Sequence, residues 1–390
     1  MVLSSKRLVL IVIVIAQFFC TSLWFAVNGI ATELISAFGL KVNAIGHMTS
    51  AVQFGFISGT LLFAFLAITD RFSPSKVFFI CACLGALVNS TLLLPSNSYT
   101  TILIARFFVG LFLAGIYPVG MKIAADYFDK ELSKSLGFLV GALVLGTALP
   151  HLIKGLGQKL NWEVVVISTS SIAVIGGSLI ALLIPDGPFR RRGNRFNLTI
   201  IKSLSQIKEL FIASVGYFGH MWELYAFWAF VPALLEISLN DNVNATSISL
   251  LSFSIIAIGG IGCILAGYLS NRFNTRKVAF AALALSTLCC VAYPILALSN
   301  LTLLVLVLMS FWGLTVVSDS PMFSTLVANS APPEVRGSAI TLVTCIGFLI
   351  SIISIQILNF LLTTISDPSV VLILSIGPIF ALLYNRSTKK

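Results

Sequence analysis

Charge is scarce in this sequence. Only 10% of its 390 residues are Asp, Glu, Lys or Arg, against roughly 25% in an average soluble domain. A water-soluble globule of this size could not cover its surface with so few, which excludes a soluble enzyme. Histidine is scarcer: His47, His151 and His220 are scattered, and no H-E-x-x-H pairs any of them with an acid. The seven cysteines, Cys20, Cys81, Cys83, Cys263, Cys289, Cys290 and Cys345, all fall in apolar segments without zinc-like spacing. They read as small buried hydrophobes, and no metal is implied. No G-x-x-x-x-G-K-[ST] run is present and the polar segments are too short for an ATPase domain, so no nucleotide cofactor is implied either. Period-two alternation is missing from the apolar runs, which excludes a membrane β-barrel.

What fills the sequence is apolar. Hydrophobic residues make up 58% of the chain, and its mean hydropathy is +1.03. A bilayer core about 30 Å thick is crossed by roughly 20 apolar residues in a helix. Twelve such spans are predicted, near 8–30, 46–68, 77–95, 100–122, 135–156, 164–184, 210–235, 246–269, 278–298, 301–325, 338–362 and 368–385. The first follows Lys6 and Arg7 as a signal peptide would, but it is long enough to span and lacks an A-x-A-like exit. With the N-terminus inside, twenty of the 24 Lys and Arg fall on the cytoplasmic side. Lys41, Lys154 and Lys159 fall outside, and Arg106 lies within a span. One missed helix would scramble that bias, so span count and orientation support each other. The net charge of +10 is then topological, and no nucleic-acid partner is implied.

The longest polar stretch runs from Pro185 to about Glu209, opening Pro185-Asp186-Gly187-Pro188 and continuing through Arg190-Arg191-Arg192. Ile200, Leu204, Ile207 and Phe211 follow at helical spacing, so an amphipathic helix on the inner leaflet and a plain basic linker are both open readings. The predicted organisation is a six-helix bundle over 1–184, a cytoplasmic linker over 185–209 and a second six-helix bundle over 210–390. The halves echo each other. Asp70-Arg71-Phe72 after span 2 returns as Asn271-Arg272-Phe273 after span 8, 201 residues on, and Pro118 and Glu131 return as Pro321 and Glu334, 203 residues on. Such duplication is typical of secondary transporters.

The motif at that first echo resembles the signature of the major facilitator superfamily, G-x-x-x-[DN]-R-x-G-R-[RK]. The second copy keeps Gly267, Asn271, Arg272, Arg276 and Lys277. The first keeps Asp70, Arg71 and Lys76, with Leu66 and Ser73 where the glycines stand and Pro74-Ser75 where basic residues are usual. Arg106 and Gly110 match the family's span 4 pattern, and Gly137, Gly141, Gly146 and Pro150 loosely resemble its span 5 glycine-proline motif. The resemblance covers essentially the whole chain. It implies an all-α membrane protein of twelve transmembrane helices in two pseudo-symmetric six-helix bundles, working as a monomer, with spans 1, 4, 7 and 10 lining a central cavity.

Those spans hold the chain's internal polar groups. An ionised side chain at mid-bilayer costs about 2.5–3.5 kcal/mol on insertion scales, so such a group faces a cavity or a partner. Arg106, Glu223 and Asp319 lie well inside spans 4, 7 and 10, joined by His220. On a continuous helix Gln17, Thr21, Trp24 and Asn28 would share one face of span 1. Arg106, Gly110 and Tyr117 would share one in span 4, His220, Glu223 and Phe227 one in span 7, and Trp312, Thr315 and Asp319 one in span 10. Converging on a water-accessible path, they would bind a small-molecule substrate. Each has a plainer reading. Arg106 either has a role in substrate anion binding or proton coupling, or holds helix packing through carbonyls or a buried acid. Glu223 either carries a proton or is a satisfied interhelical partner. Asp319, near the inner end of span 10, either joins it or caps a helix and reaches water, and His220 is a relay or a packed core residue. Asp70, Arg71, Lys76, Asn271, Arg272, Arg276 and Lys277 either enforce topology or form contacts that change between conformations, with Asp126, Glu131, Glu334 and Arg336 as expected partners. The expected function is a secondary transporter of the bacterial inner membrane, moving a small solute by alternating access with proton coupling. A uniporter, a sensor on a transporter scaffold and an intramembrane enzyme are the alternatives.

Overall fold

The computed structural model describes residues 6–128, 132–157, 161–190, 206–239, 243–299, 301–332, 334–365 and 367–388. Among them the secondary structure is helical throughout. Eleven helices are long and apolar enough to cross a membrane, and a shorter apolar helix, Arg7–Thr21, precedes them. The chain divides into two compact units, Met1–Phe196 and Asn197–Lys390. In the first, span 1 begins with Lys6–Thr21, spans 2 and 3 are Ala44–Phe65 and Pro74–Ser90, and spans 5 and 6 are Leu132–Leu156 and Trp162–Leu183. In the second, spans 7 to 9 are Lys208–Leu239, Ala245–Arg272 and Thr275–Ala297, and span 11 is Arg336–Thr364. Span 12 opens as a 3-10 helix, Pro368–Ser375, and continues as Ile376–Ser387. Most of the amphipathic helix expected near residue 200 lies outside the described residues.

Three spans expected to be continuous are broken. Span 4 consists of Tyr99–Leu113 and Tyr117–Tyr127, and span 10 of Thr302–Thr315 and Ser320–Ser330. In each the second segment carries a proline in its first turn, Pro118 and Pro321. Proline lacks the N–H and its ring clashes with the preceding turn, so a helix restarts there instead of running through. The echo between these prolines therefore marks a shared break. Span 1 breaks without proline. After Thr21 the backbone runs in tight i to i−3 turns, with the N–H groups of Ser22, Leu23 and Trp24 donating to Phe19, Cys20 and Thr21. Helix resumes at Ala31–Ala37. The Thr21 and Ser22 hydroxyls bond back to the carbonyls of Gln17 and Phe19 at 2.8 and 2.6 Å, a pattern that bends helices.

Glycine sets the closest packing, and it does so twice. A Cβ on Gly110 would lie 2.0 Å from the Val52 carbonyl oxygen, and one on Gly59 2.5 Å from that of Leu111. At positions 203 residues further on in every case, Gly313 meets the Ile255 oxygen at 1.9 Å and Gly262 the Leu314 oxygen at 2.2 Å. Spans 2 and 4 thus pack backbone to backbone as spans 8 and 10 do. Without a hydrophobic force between helices in lipid, small residues that let backbones approach supply the association. Six of the seven cysteines are buried and Cys83 is partly exposed.

Replacing Gly110 or Gly313 by Leu is expected to destabilise the protein by about 1–3 kcal/mol, the usual cost of overpacking. Gly137→Ala should be neutral, since nothing lies within 4 Å of the added methyl. Thermal unfolding in detergent reads the difference, and equal behaviour of all three variants would contradict the packing described.

Candidate functional site

Arg106 in the first unit and Glu223, His220 and Asp319 in the second are buried ionisable groups near helix breaks. In the first unit Arg106 is 0% exposed. Its Nη2 donates to the carbonyl oxygens of Leu23 and Trp24 at 3.0 and 2.6 Å. The N–H of Asn28, which a continuous helix would direct to Trp24, donates to Phe25 instead. The guanidinium takes the place of the helical donors that the break removes, the condition on which broken helices persist at membrane depth. Nη1 donates to Asn89 Oδ1 at 3.1 Å, and Asn89 Nδ2 donates to Thr169 and Ser170 at 3.3 and 3.0 Å. Arg106 so ties span 4 to span 1 and, through Asn89 of span 3, to span 6. Its Nε has no hydrogen-bond partner among the described residues.

Around this staple lie the other residues expected in span 1. Trp24 packs on Phe56 at 4.8 Å between ring centroids and meets Tyr117 edge-on at 6.4 Å. Asn28 donates to Thr49 at 2.9 Å. Gln17 is fully buried against Gly120, where a Cβ would come within 2.1 Å of its Oε1. The four residues do not share one regular helical face: the helix ends at Thr21, so Trp24 is presented by the turn and Asn28 by the 3-10 helix Asn28–Ile30. Both amide atoms of Gln17, and both of Gln53 on span 2, have no hydrogen-bond partner among the described residues.

The second unit's network joins spans 7, 9 and 10. Glu223, 1% exposed, accepts from Trp312 Nε1 at 2.6 Å and from Ser286 Oγ at 2.9 Å. Phe227, one turn on, stacks against Trp312 with centroids 4.2 Å apart. His220 Nδ1 lies 2.7 Å from Asp319 Oδ1, both side chains fully buried. Asp319 occupies the N-cap of Ser320–Ser330, so it sits inside span 10 and does not reach water. Thr315 turns its hydroxyl back to the carbonyl of Phe311 at 2.9 Å. The expected stripes of spans 7 and 10 do meet, each acid holding a partner across the helix pair.

The echoed motif makes different contacts in the two units. Asp70 lies 4.0 Å from Lys122, which is 3.5 Å from Asp126. Arg71 and Lys76 are exposed, as are Asn271, Arg272 and Lys277. Arg276 pairs with Glu209 at 3.0 Å and donates to Asn385 and Thr388 at 2.9 and 3.2 Å. Asp126 thus meets Lys122 instead of a motif base, Glu209 was not foreseen, and Glu131 lies outside the described residues. Where the first copy departs from the signature, the start of the linker closes the gap. Ser73 Oγ donates to Asp186 at 2.6 Å, Asp186 also pairs with Arg190, and Arg190 donates to the Phe72 carbonyl at 2.8 Å. Asn89, Gln53, Ser286 and His151, all buried, escaped sequence reasoning. The first two carry the signal used for Gln17 but lie on spans 3 and 2.

Comparison with known proteins decides the family. The family model described as Major Facilitator Superfamily matches residues 13–355. The chain belongs to the major facilitator superfamily. A "Probable 4-methylmuconolactone transporter" of Cupriavidus pinatubonensis is 24% identical over 292 residues, 72% of this chain and 65% of the relative. The chain thus spans just under two thirds of that protein's length. A "Purine ribonucleoside efflux pump NepI" of Salmonella paratyphi B is 23% identical over 336 residues, 81% of this chain and 79% of the relative. Among solved structures, that of a D-xylose-proton symporter superposes with a TM-score of 0.76 at 14% identity, covering 96% of each chain. The eleven helices of membrane-crossing length and apolarity among the described residues fit that family.

The buried pair makes a separable claim. His220→Ala and Asp319→Asn should each lower the melting temperature, while the double variant loses little more than the worse single one. The coupling energy expected for groups in direct contact is about 0.5–3 kcal/mol. Additive losses in the double-mutant cycle would mean the two side chains act independently.

Proposed function

We propose that this protein is a secondary active transporter of the bacterial inner membrane that moves a small solute by alternating access and couples that movement to protons. Both termini are cytoplasmic, the monomer is the working unit, and the solute crosses chemically unchanged. The observation that carries the reading is Glu223, a carboxylate buried within a span and held by two neutral donors, Trp312 and Ser286. Those donors come from spans 10 and 9, so a shift of either span against span 7 changes the carboxylate's surroundings and with them its hold on a proton. The His220–Asp319 pair, on the same two spans as Glu223 and Trp312, supplies a second titratable contact. Two structural neighbours are themselves proton symporters, for fucose and for D-xylose.

In this reading Arg106 is a modulator. Its Nη groups are engaged by Leu23, Trp24 and Asn89, so it holds the span 1 break in shape for the residues the break presents. Solute binding in the first unit falls to Gln17, Gln53 and Asn28, whose amides keep hydrogen-bonding atoms without a protein partner among the described residues, beside the rings of Trp24 and Tyr117. Amide groups flanked by aromatic rings suit a small, largely uncharged ring with polar edges. Purine ribonucleosides and 4-methylmuconolactone, named for the relatives above, are therefore the first probes. The motif residues Asp70, Arg71, Lys76, Asn271, Arg272, Arg276 and Lys277 exchange contacts as the conformation changes.

The test begins with a thermal-shift screen of those probes and a metabolite set, followed by uptake of the hit into proteoliposomes. Wild type should accumulate unaltered solute down a pH gradient. Glu223→Gln should lose gradient-driven accumulation at least tenfold while keeping counterflow exchange. Binding without accumulation, a modified product, or an unchanged pH dependence in the variant would each overturn the proposal.

A further inference from the structure

Two adjoining cavities lie outside the networks described above, on the face of the second unit that carries the start of span 7, the 8–9 turn and the end of span 12. The first, about 440 Å³, is lined by Asn274, Arg276, Lys277 and Asn385 together with Phe280 and Ala281. The second, about 380 Å³, runs along spans 8, 9 and 10. The two share Lys277 and Ala281, so a basic pocket adjoins an apolar groove along one face of span 9. The groove's walls include Leu269, Phe273 and Phe311, which are 46, 54 and 43% exposed. Apolar surface of that extent on a membrane-spanning helix faces acyl chains.

Charge distinguishes this groove from ordinary lipid-facing surface. Lys277 is exposed and belongs to no ion pair among the described residues. Arg272, at the end of span 8, is likewise exposed. The neighbouring acid, Glu209, is already matched by Arg276. Asn385 accepts from Arg276 through Oδ1, which leaves its amide N–H groups as donors. A pocket with surplus positive charge and amide donors, side by side with an apolar groove, complements a phosphate ester that carries hydrocarbon chains. We infer that these cavities form a binding site for one anionic glycerophospholipid, its phosphate between Lys277 and Asn385 and an acyl chain in the groove of spans 8, 9 and 10, with Arg272, two residues before the pocket's Asn274, adding positive charge. Basic pockets between transmembrane helices bind anionic headgroups on these terms. The occupant bridges the 8–9 turn to span 10, the span that carries Trp312 and Asp319.

Native mass spectrometry of the purified full chain tests the inference by titration with phosphatidylglycerol and with phosphatidylcholine of the same acyl composition. Wild type should retain phosphatidylglycerol at least tenfold more tightly. Lys277→Gln should weaken that retention about fivefold and Lys277→Gln/Arg272→Gln further, as expected for about one unit of surface attraction per charge. Ala281→Trp fills the junction and keeps every charge, so it should remove the preference for phosphatidylglycerol from a protein that remains monodisperse. Equal retention of the two lipids by wild type, or unchanged retention in both the charge and junction variants, overturns the site. Protection by glycerol 3-phosphate as strong as that by phosphatidylglycerol would make it a free-anion pocket and overturn the lipid.

Discussion

Everything in this fold answers to one constraint: at membrane depth no water satisfies a polar group, so each must find its partner within the protein. A continuous helix meets that demand by itself. This chain breaks spans 1, 4 and 10, and every break exposes backbone that something else must satisfy. Arg106 is the plainest answer, donating to both Leu23 and Trp24 where the first helix has let them go. The exchange is reciprocal, because a guanidinium without those carbonyls would itself be an unpaired charge among apolar side chains. Removing one partner from a buried charge is strongly destabilising, which is why such pairs persist even where their net contribution is small.

The two units meet the same constraint with different residues. Their scaffolds correspond closely: Gly110 and Gly313, Gly59 and Gly262, and Pro118 and Pro321 each lie 203 residues apart in equivalent roles. Their polar contents do not. The first unit uses a cation against neutral oxygens, extended by Asn89 to span 6. The second uses two carboxylates against an indole, a hydroxyl and an imidazole. A duplicated frame with unlike linings separates packing from chemistry. The glycines and prolines set where helices meet and break, and the residues at those places are free to differ. The echoed motif shows the same division, since Arg276 gathers Glu209, Asn385 and Thr388, whereas the first copy relies on Lys122 and on Asp186 of the linker.

Much of this was legible in the sequence because bilayer thickness imposes a length that composition cannot hide. The spans, the repeat and the family resemblance all followed from apolar run lengths and a few motif residues. Glu223, His220, Trp312 and Asp319 were expected on converging stripes of spans 7 and 10, but which of them pair was not foreseen. The breaks were not anticipated. Hydropathy is blind to them, as Leu23, Phe25 and Val316 are as apolar as any helix interior, and the echoed prolines were noticed without being read as restarts. Regular periodicity then placed Trp24 and Asn28 on the face of a helix that had already ended. Asn89 and Ser286 were missed for another reason. Asn89 lies on a span outside the expected cavity and Ser286 does not stand out as a costly group, and the role of each appears only once the neighbour it satisfies is known.

The most direct measurement is hydrogen–deuterium exchange of the backbone over residues 22–27 in wild type and Arg106→Gln. If the guanidinium holds the break of span 1, that stretch is protected in wild type and exchanges at least tenfold faster in the variant. Residues 44–65 of span 2 should keep their protection. Exchange over residues 22–27 that is fast in both proteins, or unchanged by the substitution, would show that the broken helix stands without Arg106 and would contradict the account.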